Sequence, residues 1–181
     1  GDVRLQTHNA GTAGVSGSLS FSTGTTSSGD SGAISISTGS ALSGAGTGGS
    51  VSVTVGDGTS VSETGAAVTF QAGLSSSDTG GRLLLRSGFG LATSSGALTL
   101  ATANSGTNGG LTGTVTISTG IATDGASGDI VLSTGAASGG TAGVVRIEVG
   151  STTGAMGTDA TLKGGDSLGS SPAFTGGSVY V

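Results

Sequence analysis

The sequence predicts an all-β fold, a narrow two-sheet β-solenoid (β-helix) of about twelve coils of 15–17 residues. Three observations predict it. One phrase recurs: Gly113-Thr114-Val115-Thr116-Ile117-Ser118-Thr119-Gly120 returns as Gly32 to Gly39 and again as Gly128 to Gly135. Within the phrase, apolar and hydroxyl side chains alternate, which puts Val115 and Ile117 on one face of a strand and Thr116 and Ser118 on the other. The copies also keep register: their first apolar members lie 15 to 17 residues apart, widening to 19 only between Ala160 and Val179.

In chain order the pairs expected to face inward are Val3/Leu5, Leu19/Phe21, Ile34/Ile36, Val51/Val53, Val68/Phe70 and Leu83/Leu85. They continue as Leu98/Leu100, Val115/Ile117, Ile130/Leu132, Val145/Ile147, Ala160/Leu162 and Val179/Val181. A glycine stands two residues before the first member in ten of the twelve copies, with Ala66 and Thr158 in its place in the other two. Gly17, Gly32, Gly49, Gly81, Gly96, Gly113, Gly128, Gly143 and Gly177 are the expected corners, where the backbone needs φ > 0 or has no room for a Cβ. Two places after the second member comes a small or β-branched residue: Thr7, Thr23, Thr38, Val55, Ala72, Ser87, Thr102, Thr119, Thr134, Val149 or Gly164. A repeat of this length makes a closed coil of at most about 50 Å perimeter, each coil bonding to the next at a spacing of about 4.8 Å. The competing arrangement is an antiparallel sandwich, ranked lower because sandwiches do not repeat one phrase in strict register.

The return half of each repeat is a Gly/Ser/Thr/Ala segment, such as Thr25 to Ser31 or Ala136 to Ala142. Larger side chains are sparse there: Leu42, Val61, Leu74, Phe89, Leu91, Ile121, Met156 and Leu168. They read either as the thin core of a second sheet or as an exposed apolar stripe that a partner covers. The longest interval holds the only proline, Pro172, and predicts a loop bulging out near Ser167 to Thr175. Both ends read as raw strands, Gly1 to Thr7 and Gly176 to Val181, so one domain over 1–181, uncapped at both ends, is expected. Such ends predict head-to-tail stacking on other copies, or on adjoining segments of a longer chain.

Gly, Ser, Thr and Ala dominate the composition and aromatics reach only 3%, a profile that usually signals disorder. A charged fraction of 8% and the regular apolar pairs argue the other way. A net charge of −5 with five scattered Lys/Arg speaks against nucleic acid or an anionic membrane as partner. No apolar run approaches a membrane span. With no cysteine, thiol chemistry and disulfides are excluded.

The motifs that carry chemistry are weak in a chain so rich in glycine. Gly44-Ala45-Gly46-Thr47-Gly48-Gly49 fits a phosphate-binding string, yet no helix is expected after it to meet a phosphate. Gly165-Asp166-Ser167-Leu168-Gly169 fits a nucleophile elbow, but the only histidine is His8, far away along the expected axis. The carboxylates Asp2, Asp30, Asp57, Glu63, Asp78, Asp124, Asp129, Glu148, Asp159 and Asp166 share no repeated register, as a calcium roll would require. They read as turn residues, an isolated calcium site staying open. No enzyme, no cofactor and no metal site is expected.

The short repeat with stacked Ser/Thr columns resembles two groups: the ice-binding β-solenoids, and the long Gly/Ser/Thr-rich solenoids of secreted adhesins and surface fibres of bacteria and unicellular algae. The motif that carries the likeness is Gly-x-aliphatic-x-aliphatic-Ser-Thr-Gly, as in 32–39 and 113–120. The resemblance implies a structural protein of an extracellular or cell-surface filament, built by end-to-end stacking. Its second implication is a binding module that lays its Ser/Thr face on ice or polysaccharide. Arg4/Gln6, Leu84/Arg86, Arg146/Glu148 and Thr161/Lys163 interrupt the hydroxyl column and would break an ice plane.

Overall fold

The computed structural model describes the whole chain except residues 43, 45, 60–63, 155, 168–175 and 181. The described residues contain no helix and no strand; the chain is extended coil punctuated by bends and turns. This overturns the all-β solenoid and with it the two-sheet cross-section. Backbone pairing, the defining feature of a coil ladder, is nearly absent. Three backbone–backbone hydrogen bonds join the described residues: Gly81 N–H to the Gly73 carbonyl (2.9 Å), Gly96 to Gly88 (3.0 Å) and Gly177 to Gly165 (2.8 Å).

Nor is there an interior column. Of the expected inward residues, the first members Leu19, Ile34, Val51, Val68, Leu83, Leu98, Val115, Ile130, Val145 and Val179 are 46–59% exposed. The second members Leu5, Phe21, Ile36, Val53, Phe70, Leu85, Leu100, Ile117, Leu132, Ile147 and Leu162 are 59–80% exposed, and Val3 is 92%. Val181 lies outside the described residues, as do Val61, Glu63, Leu168, Pro172 and most of the loop expected near Ser167 to Thr175. No described residue is buried. The accessible area is 17,751 Å². A compact chain of this mass would expose about 7,600 Å² and a fully unfolded one about 24,000 Å².

The register nevertheless appears in the structure, as a repeated closure. Contacts divide the chain into two units, Gly1–Arg86 and Ser87–Val181, and the same motif is found within each. An extended segment such as 17–23 or 113–119 ends on the small or β-branched residue, and a return loop brings the next corner glycine back against that residue. A Cβ placed on Gly17 would lie 3.3 Å from Thr7 Cβ; on Gly49, 3.2 Å from Thr38 Cβ; and on Gly143, 3.2 Å from a Thr134 methyl. Gly113 meets Thr102 at 3.3 Å, Gly81 meets the Gly73 nitrogen at 3.1 Å, and Gly177 meets the Gly165 nitrogen at 3.3 Å. Gly32, Gly96 and Gly128 have ordinary contact distances of 3.4–3.8 Å from Thr23, from Ser87 and Gly88, and from Thr119. Two closures carry a side-chain bond: Thr23 Oγ1 donates to the Gly32 carbonyl (3.0 Å) and Thr134 Oγ1 to the Gly143 carbonyl (3.3 Å). Thr7, Val55, Ala72, Ser87 and Gly164, all at this closing position, are among the few residues that are only partly exposed.

Most of the return loops that are described reverse shortly before the next corner. Bends fall at 12–14, 27–29, 76–78, 91–93, 123–125 and 138–140, and a turn at 107–109, ahead of the next corner glycine. Positive φ occurs here and not at the corners, at Gly14, Gly29 (+93°), Gly44 (+79°), Gly109 (+77°) and Gly125. The left-handed requirement assigned to the corner glycines therefore belongs to the loop apex, while the corners are places of close approach.

Candidate functional site

The extended segments set side chains two residues apart on one side. Ser52 Oγ and Thr54 Oγ1 are 3.4 Å apart, and Arg146 Nε lies 3.4 Å from Glu148 Oε2, both pairs at i and i+2. Alternation is thus real locally, yet it separates no inside from outside. Leu84, expected to point away from a core, is 52% exposed, against 57% for Leu83 and 59% for Leu85.

One hollow with a largely apolar lining forms where two consecutive extended segments approach. Residues Ser20, Phe21 and Ser22 of 17–23 and Ala33, Ile34 and Ile36 of 32–38 line a volume of about 580 Å³. The closure of Thr23 on Gly32 places it, because that closure starts the second segment beside the end of the first. Phe21, Ala33, Ile34 and Ile36 give it an apolar lining, and Ser20 and Ser22 line it as well. No charged side chain lines it. A second hollow of about 250 Å³ is lined by Gln6, Thr7 and His8.

The return-loop side chains stand out fully. Leu42, Leu74, Phe89, Leu91, Ile121 and Met156 are all more than four-fifths exposed, so the described loops build no second-sheet core. Val15 and Leu111, two residues before Gly17 and Gly113, are as exposed and were not among the large loop residues singled out from sequence.

The ion pairs Arg146–Glu148 and Lys163–Asp166 are local in sequence. Lys163 Nζ donates to Asp166 Oδ2 at 2.6 Å, and the Asp78 carboxylate accepts from the Thr79 N–H at 2.7 Å, a turn role. No group of three metal-ligating side chains is found among the described residues. The phosphate-type string at 44–49 is followed by extended chain wherever it is described, and the elbow-type string at 165–169 runs out of the described residues at Leu168. No helix among the described residues is long and apolar enough to cross a membrane. Compared with protein-family models, curated proteins and solved structures, the chain matches none.

Proposed function

We propose that this chain is a structural protein that works in assemblies, its apolar pairs covered by other copies of itself. The observation that carries the reading is the exposure of every described pair residue at one fixed register. Burying such side chains stabilises by about 1.5–3 kcal/mol each, whereas ordering a backbone costs about 1–2 kcal/mol per residue. A single copy leaves that stabilisation unused, so ordering has to draw on neighbours. A low charge density suits close packing of copies, since five cations and ten carboxylates in 181 residues repel little. Side-by-side association fits this arrangement, since no sheet among the described residues could continue end to end into a next copy. Placement outside the cell belongs to the same proposal and rests on the resemblance to secreted and surface-fibre solenoids alone.

The hydroxyl-face alternative, ice or polysaccharide, needs rows held flat. Here the hydroxyls sit on separate extended segments with no sheet among the described residues to align them. Sedimentation velocity over a hundredfold range of concentration tests the self-association reading. Mass rising with concentration is expected; a single-copy species throughout, combined with thermal hysteresis, would move the function to the hydroxyl face.

A further inference from the structure

We propose that the hollow between segments 17–23 and 32–38 is the seat for an uncharged extended segment of a second copy, laid with its apolar pair on Phe21, Ile34 and Ile36. The proposal rests on the self-association reading above and names its contact. The lining carries no charge, so a charged occupant would lose hydration without gaining a partner. The chain itself supplies complementary occupants. Segments 17–23, 32–38, 49–55, 96–102 and 113–119 alternate aliphatic or aromatic with small or hydroxyl side chains and contain no Asp, Glu, Lys or Arg. Segments carrying Arg82 and Arg86, or Arg146 and Glu148, are poor fits on the same ground.

Geometry favours an extended occupant. The segments that bound the hollow make no backbone hydrogen bond to one another, so apart from the Gly32 carbonyl that accepts from Thr23 their N–H and C=O groups are available to a strand laid alongside. Register then follows from side-chain alternation: a slip of one residue would set hydroxyls against Phe21, Ile34 and Ile36 and apolar groups in water. Size sets the valency. A seat of six residues falls well short of the ~800 Å² per partner that a stable interface buries, so several repeats must engage together in whole-repeat register. Association should therefore steepen sharply with concentration.

The chain has no cysteine, so introduced thiols are unambiguous. Copies carrying Ile36→Cys are mixed with isotope-labelled copies carrying Ile117→Cys, oxidised mildly, and the mixed disulfide is quantified by mass spectrometry. Ile36 is 80% exposed and Ile117 65%, so neither substitution removes a packed core residue. The expected result is a 36–117 cross-link forming at least tenfold faster than the cross-link from Ile36→Cys to Thr116→Cys, one residue out of register. Equal rates with Ile117→Cys and Thr116→Cys, while the wild-type chain still self-associates in sedimentation, would overturn the seat and leave the assembly reading standing. A wild-type chain that stays a single copy at all concentrations would overturn the assembly reading, and the seat with it. Retarded migration through a polysaccharide-containing gel, with no 36–117 cross-link, would assign the hollow to a carbohydrate and equally overturn the proposal.

Discussion

At Gly29 the backbone φ is +93°, and a Cβ there would meet nothing within 4 Å. Substitution at this position therefore tests conformation alone. Valine in the left-handed region costs about 1–2 kcal/mol, and asparagine tolerates it better. Gly29→Val should open the loop that Thr26 and Ser28 help to turn, and Gly29→Asn should keep it. The readout is the nuclear Overhauser contact between Thr23 and Gly32, expected to vanish in the first variant and persist in the second. Gly90 makes the opposite test, because a Cβ there would collide with the Ser94 carbonyl without any φ requirement. Gly90→Ala should shift the amide resonances of residues 88–96, while Gly120→Ala, which meets open space, should leave its own neighbours unchanged. Unchanged spectra in both would mean the 90–94 bend is not populated. A glycine's presence is legible in sequence; its task is not. Gly29 and Gly32 look alike on the page, and only the chain path shows that the first turns the backbone and the second yields space.

The extended segment and its closure are the elements that sequence periodicity could reach. The period-two alternation specifies an extended backbone, and the closing position stands out as small or β-branched in every copy from Thr7 to Gly164. What alternation leaves open is the partner of each extended segment. Segments 32–38 and 113–119 are close to interchangeable, so no pairing among them is energetically distinct, and the return loops lack bulk to wedge one arrangement in place. The hollow at Phe21, Ile34 and Ile36 was invisible for the same reason, since it depends on how consecutive segments meet. The closure itself is testable. Ala72 occupies its threonine position in the closure on Gly81, so the contact does not require a hydroxyl. Thr23→Val should retain the contact with Gly32 at a cost within about 1 kcal/mol, the net value of a lost hydrogen bond. Thr23→Gly should lose it, read as faster amide exchange across 24–32. If valine proves as disruptive as glycine, the Thr23 to Gly32 carbonyl bond, and not packing, holds the loop.

For the molecule as a whole, area decides which forces act. An exposed surface of 17,751 Å² is more than twice the ~7,600 Å² of a compact chain of this mass, and the excess includes the apolar pairs. Electrostatics is weak by comparison. The ion pairs Arg146–Glu148 and Lys163–Asp166 have side chains 63–80% exposed and contribute little. Association driven by apolar burial and association driven by charge respond oppositely to salt. Raising sodium chloride from low to moderate concentration screens charge and should leave the association constant within about twofold. Sulfate, which strengthens burial by exclusion from the surface, should raise it severalfold at equal ionic strength. The Ile36→Asp variant places a charge in the uncharged lining and should need at least tenfold higher concentration to associate. Leu74→Asp carries the same charge on a loop residue that is 93% exposed and lines no part of the hollow, so it controls for charge itself. Scattering measured on the three chains in chloride and in sulfate separates the cases. Association that chloride abolishes, or that Leu74→Asp weakens as much as Ile36→Asp, would place the driving force in charge and not in the repeated pairs.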